Sequence, residues 1–194
     1  MPWAAWEAFS AGLALLASLA WWLPRAWLDW QPALCVSEPW RILTGALVHW
    51  SAQHLLANLA GCAVLALLGR AGRLRATPAW LAAWPLTQLG LLMQAELLHY
   101  GGLSGLLHAG VAVAVVELLA RGGHQRWLAA GIGIGLLVKL WLEQPLGPAL
   151  RSVPGWDIAI APFAHLSGTL AGALSALSWL AWRRLRASSR HADV

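Results

Sequence analysis

Ser104 closes the run Gly101-Gly102-Leu103-Ser104 and, with Gly105, opens a hydrophobic stretch from Leu106 to Ala120. A serine at such a helix start has its hydroxyl at the positive end of the helix dipole. Beside it lie backbone N–H groups without intrahelical partners. That is a good place to build an oxyanion and a poor one for an idle hydroxyl. Gly-x-Ser-Gly alone carries little, because glycine and serine are common in membrane helices. The second reactive group is His165, at the head of Phe163-Ala164-His165-Leu166-Ser167-Gly168. Both residues fall within about a turn of the same end of their apolar stretches, hence at similar depth. His165, Gly168 and Gly172, spaced by three and four, form one stripe on which a second helix can press its backbone. The small face at Ser104 and Gly105 is the natural partner.

Other polar groups compete for roles. His54 and Asn58 are four apart, so they share a helix face, and both can donate hydrogen bonds. Function and helix-to-helix bonding are equally good readings of that pair. His108 lies one turn below Ser104, where it is expected to pack against whatever ring serves the serine rather than to act as its base. Glu117 is thirteen residues beyond Ser104, about 20 Å deeper at 1.5 Å per residue, too far to complete a triad. Lys139 precedes Glu143 by four; an ion pair that snorkels to the interface is favoured over a serine–lysine pair. Gln88, Gln94 and Glu96 read as packing groups, and His99-Tyr100 as the rim of a wet cavity.

The elements that position these groups follow from composition. Of 194 residues, 59% are hydrophobic and 11% charged, against about a quarter charged in soluble domains. Six apolar stretches approach the roughly 20 residues a bilayer-crossing helix needs: 8–23, 54–69, 80–98, 103–120, 127–142 and 162–182. The expectation is a single all-α membrane domain, 1–194, with six transmembrane helices, a long outer loop 24–53 and a tail 183–194. The first stretch follows no Lys or Arg and ends on no Ala-x-Ala site, so it reads as a retained span.

Charge sets the orientation. Arg70, Arg73, Arg75, Arg121, Arg126, Arg183, Arg184, Arg186 and Arg190 fall on one side, and only Arg25, Arg41 and Arg151 on the other. The positive-inside rule then places both termini in the cytoplasm. The net charge of +5 reflects topology and anionic lipid, with no nucleic acid as partner. Among fifteen tryptophans, Trp21, Trp22, Trp27, Trp30, Trp40 and Trp50 flank the outer ends and Trp80, Trp127, Trp179 and Trp182 the inner ends, as interfacial anchors. Cys35 and Cys62 fall at different depths, and pairing them would pull the outer loop into the membrane. No zinc site, phosphate loop or repeat is visible, and neither a metal nor a cofactor is expected.

Taken together, Glu38-Pro39-Trp40-Arg41 with Thr44, then His49, His54 and Asn58, then Gly102-Leu103-Ser104-Gly105, then Ala164-His165 with Gly168 and Gly172 resemble the signatures of rhomboid intramembrane serine proteases, in family order. The resemblance runs from about Trp40 to Gly172. The Gly-Leu-Ser-Gly-Leu-Leu-His run and the compact six-span form look most like the rhombosortase branch. The resemblance implies a rhomboid-like bundle in which Ser104 attacks a peptide carbonyl and His165 carries the proton. It implies a dyad, with no carboxylate in place, and an oxyanion held by His54, Asn58 and the Ser104 N–H. Gly102, Gly105, His108, Gly168, Trp40 and Arg41 would support the site. The implied partners are the lipid bilayer and transmembrane substrates with a C-terminal Gly-Gly-type tail. The implied setting is the bacterial inner membrane, with the site opening to the periplasm. Two rivals stand beside this reading: an inactive rhomboid-like protein that binds helices, and a six-span transporter subunit for a small molecule.

Overall fold

Helix boundaries are set by local chemistry. Ser51 stops the outer segment and starts a helix, its hydroxyl accepting from the His54 N–H at 3.1 Å. Gln144 ends another by turning left-handed at φ 52°. The computed structural model describes residues 3–192. It contains α1 (Ala4–Ala20), α2 (Arg41–Thr44), α3 (Ala52–Ala71), α4 (Thr77–Gly90), α5 (Ser104–Arg121), α6 (Gln125–Glu143) and α7 (Pro162–Ala192). No β-strand forms among the described residues; two isolated antiparallel bridges join Trp30 to Tyr100 and Arg151 to Ile160.

Two expectations are corrected, and one is extended. The third apolar stretch is not one helix to Leu98. It leaves α4 at Gly90, makes a 3-10 turn over Leu91–Met93 and runs on irregularly. The reason is packing: Leu91, Leu97 and Tyr100 are needed in an outer core with Trp30, where Trp30 and Tyr100 exchange backbone hydrogen bonds of 2.8 and 2.9 Å. The expected tail 183–194, for which the sequence reading set no secondary structure, continues α7 as a helix as far as Ala192, since Arg, Leu, Ala and Ser carry it onward without a glycine or proline to stop it. Its last two residues, like the first two of the chain, lie outside the described residues. Finally, Trp30 and Trp80 are not interfacial anchors but are fully buried. Trp80 donates its indole N–H to the Leu106 carbonyl at 2.8 Å and fills the space that Gly110 leaves beside it.

α5 is the buried centre. At its outer start, a Cβ on Gly168 of α7 would strike the Gly105 carbonyl, and one on Gly172 would strike the Ala109 backbone. The two backbones therefore touch along the stripe read from the sequence. At its other end, Glu117 accepts from the Arg75 and Ala76 N–H groups at 2.9 Å each and pairs with Arg121. That carboxylate satisfies two backbone donors in the turn that leads into α4, a structural task. On the far flank, α1 packs on α3. Trp6 donates to Leu65 O and Ser10 to Cys62 O, at 2.8 and 2.7 Å.

The outer segment is pinned from beneath. Arg41 is buried, donating to Asp29 at 2.9 Å, Glu38 at 2.6 Å and the Ala26 carbonyl at 2.8 Å. Trp40 is half exposed and donates to Trp27 O at 3.2 Å. Gly45 admits Trp30, where a Cβ would come within 2.6 Å of the Trp30 Cβ and 2.9 Å of its backbone N, and the Gly45 carbonyl accepts from Gly102 N–H at 3.2 Å. The outer segment is thus stitched to the residues just before Ser104. Cys35 and Cys62 are both free thiols. Outward faces carry Leu15, Leu19, Leu56, Val64, Leu67, Ile134, Leu137, Leu170, Leu174 and Leu177, an apolar exterior that water would not tolerate over such an area. By length and composition α3 and α5 are able to cross a membrane.

Candidate active site

Ser104 is the first residue of α5 because Gly102, at φ +143°, turns the chain in a conformation other residues rarely adopt. His165 stands in the first turn of α7. The glycine seam below brings the two together: Ser104 Oγ lies 3.0 Å from His165 Nε2. On the other side of the ring, His165 Nδ1 lies 2.6 Å from Glu143 Oε2, at the last residue of α6. A carboxylate accepts, so Nδ1 carries the ring proton and Nε2 presents its lone pair to the serine hydroxyl. This corrects the expectation that no carboxylate reaches the histidine. The expected ion pair between Lys139 and Glu143 is also present. Glu143 uses one oxygen for each partner.

His108 stacks on His165, with ring centroids 4.1 Å apart and planes 11° off parallel. It donates from Nδ1 to the Ser104 carbonyl at 2.6 Å. Donor atoms of His108, Glu143 and His165 lie within 4.8 Å of one another. A metal ion must sit near the plane of each imidazole it binds, and two nearly parallel stacked rings offer no shared position. The trio does not fit a metal centre.

His54 and Asn58 lie on α3 and line the same cavity of about 650 Å³ as Ser104, His108, Glu143 and His165. A Cβ on Gly102 would approach the His54 ring to 2.8 Å, so that glycine allows the imidazole in. Asn58 spends one amide N–H on the His54 carbonyl at 3.1 Å and keeps another. Tyr100 is buried and donates to the Gly102 carbonyl at 2.8 Å, bracing the turn before the serine. Gly105 approaches the Ala164 carbonyl, where a Cβ would stand at 2.9 Å.

The Rhomboid domain family model matches residues 36–183. The chain belongs to the rhomboid family. It is therefore a membrane-embedded protein, in a family whose members are generally intramembrane serine proteases acting on transmembrane substrates. No curated protein matches the chain.

Over the cavity of this rhomboid lies the segment 144–161. It is fastened to the start of α3 by Ser51 donating to Asp157 at 2.7 Å and Gln53 donating to Gly155 O at 2.7 Å. Its base is the bridge between Arg151 and Ile160. Glu143 is the site residue that sequence reading assigned to another task. Its position at the end of the fifth apolar stretch was the available signal, since Ser104 and His165 were read at that level too.

Proposed function

We propose that this rhomboid is an active serine endopeptidase that cleaves a substrate transmembrane helix near its outer end. The observation that carries the reading is the 3.0 Å approach of Ser104 Oγ to His165 Nε2, in a cavity large enough for an unwound peptide. Ser104 attacks the carbonyl while His165 takes its proton and returns it to the leaving amine. The tetrahedral oxyanion is held by the His54 ring, the free Asn58 N–H and the Ser104 backbone N–H. Loss of one such donor typically costs about 3–4 kcal/mol of transition-state stabilisation. Gly102, Gly105, His108 and Gly168 shape the pair's surroundings, and Trp40 and Arg41 brace the outer segment. Water enters from the outer loops, because hydrolysis needs it within the bilayer.

In this reading α1, α3, α4, α5, α6 and α7 all cross the membrane, with both termini on the arginine-rich cytoplasmic side and the site facing the periplasm of a bacterial inner membrane. The motif run around Ser104 favours the rhombosortase branch and substrates ending in a Gly-Gly motif, one span and a basic end. Purified protein in detergent or liposomes is tested with such a tailed reporter and a fluorophosphonate probe. Ser104→Ala and His165→Ala are each expected to lose cleavage at normal protein level, and Ser104→Ala to lose labelling. Undiminished cleavage in either variant overturns the reading.

A further inference from the structure

Glu143 ends α6, and three contacts fix it there. Lys139, one turn back on the same helix, takes one carboxylate oxygen. Arg151 donates to the Leu142 and Glu143 carbonyls at 3.1 Å each, closing the C-terminus of α6. The Arg151 backbone pairs with Ile160 at 2.8 and 2.9 Å, two residues before α7 begins at Pro162. The end of the helix that carries Glu143 and the start of the helix that carries His165 are thus joined through one residue. The remaining oxygen of Glu143 faces His165 Nδ1 at 2.6 Å, a short bond of the kind an ionised acceptor makes. Both side chains are largely shielded, at 14% and 8% exposure.

We propose that Glu143 is a positioning residue for His165, converting the pair into a Ser104–His165–Glu143 triad, with Lys139 deciding how the third member is oriented. The inference rests on the reading of Ser104 and His165 as the reacting pair. When Ser104 Oγ bonds to the substrate carbonyl carbon, its proton passes to His165 Nε2. The Nδ1 proton stays on the ring, held by Glu143, and the imidazolium is balanced by the carboxylate until Nε2 releases its proton to the leaving amine. The carboxylate itself takes no proton. A structural ion pair with Lys139 alone would need no second partner and would be indifferent to which atom faces the histidine.

That difference sets the experiment. In Glu143→Gln the ammonium of Lys139 attracts the amide oxygen, so the NH2 group turns toward His165. The ring then has to accept at Nδ1 and carry its proton on Nε2, where it cannot take one from Ser104. Removing the ammonium in Glu143→Gln/Lys139→Met frees the amide to turn its oxygen to His165 and restore the tautomer. Full-length variants are compared by kcat and KM on the tailed reporter, by fluorophosphonate labelling rate and by thermal unfolding midpoint. Glu143→Gln is expected to lower kcat about 100-fold with KM within about threefold. The double variant is expected to recover about tenfold of that loss, in both kcat and labelling rate. Wild-type kcat in Glu143→Gln overturns the proposal. So does equal impairment of the single and double variants, or a loss that follows the unfolding midpoint alone. Ser104→Ala run alongside separates the two levels: if it still cleaves, the reacting pair itself is wrong. If it is dead while Glu143 variants are unimpaired, only the third member is lost.

Discussion

The two flanks of α5 are built on opposite terms. Toward α7 the backbones touch, with Gly168 on the Gly105 carbonyl and Gly172 on Ala109. Toward α6 the packing is looser: α6 buries only Ala129 and Leu140, Gly133 meets α5 only through the Val115 side chain at 3.3 Å, and Gly135, on the cavity wall, has no neighbour within 4 Å of where a Cβ would stand. Ser104 and His165 lie on the tight flank, whereas the cavity opens on the loose one, between α3 and α6. Glycine serves both, at one place by permitting contact and at the other by leaving room. A nucleophile and its base need sub-ångström constancy; a bulky substrate needs space.

The largest effect is expected from Gly168→Leu. Its side chain has no volume to occupy, so α7 must move away from α5. Cleavage and fluorophosphonate labelling are expected to fall at least about 100-fold, together with a stability loss of about 1–3 kcal/mol or more. Unchanged labelling and unfolding midpoint would break the contrast between the flanks. Gly135→Phe comes next. Filling the cavity is expected to slow cleavage of a helical substrate about tenfold while the small fluorophosphonate still reacts with Ser104 at close to the native rate. Equal loss in both assays would mean that α6 is not the roomy side. The smallest is Gly131→Ala, in open space on a regular helix. Activity should hold and stability rise by up to about 1 kcal/mol, read from the unfolding midpoint.

The seam was legible in the sequence because helical spacing is a short-range property. His165, Gly168 and Gly172 share a stripe by arithmetic, and matched depth along two apolar stretches paired that stripe with Ser104. Glu143 was missed for a long-range reason. The eighteen residues between it and Pro162 fix no geometry until Arg151 closes onto Ile160 and the end of α6. The irregular course of residues 94–100 escaped for a similar reason. Apolar content favours a helix there, and only the pairing of Tyr100 with Trp30 outweighs it. The buried anchorage of Arg41 was not legible at all, because its partner Asp29 lies twelve residues back in a turn with no periodicity to announce it.

Interlocked glycine backbones have a further property: they behave like teeth rather than a slide. With the Gly105 carbonyl seated at Gly168, α7 has no smooth path along α5. The next comparable notch is a whole turn away, about 5.4 Å. A displacement of that size carries the imidazole out of reach of the hydroxyl altogether. Small vertical errors between the two helices are therefore corrected by the meshing, and a large one switches the chemistry off instead of degrading it by degrees.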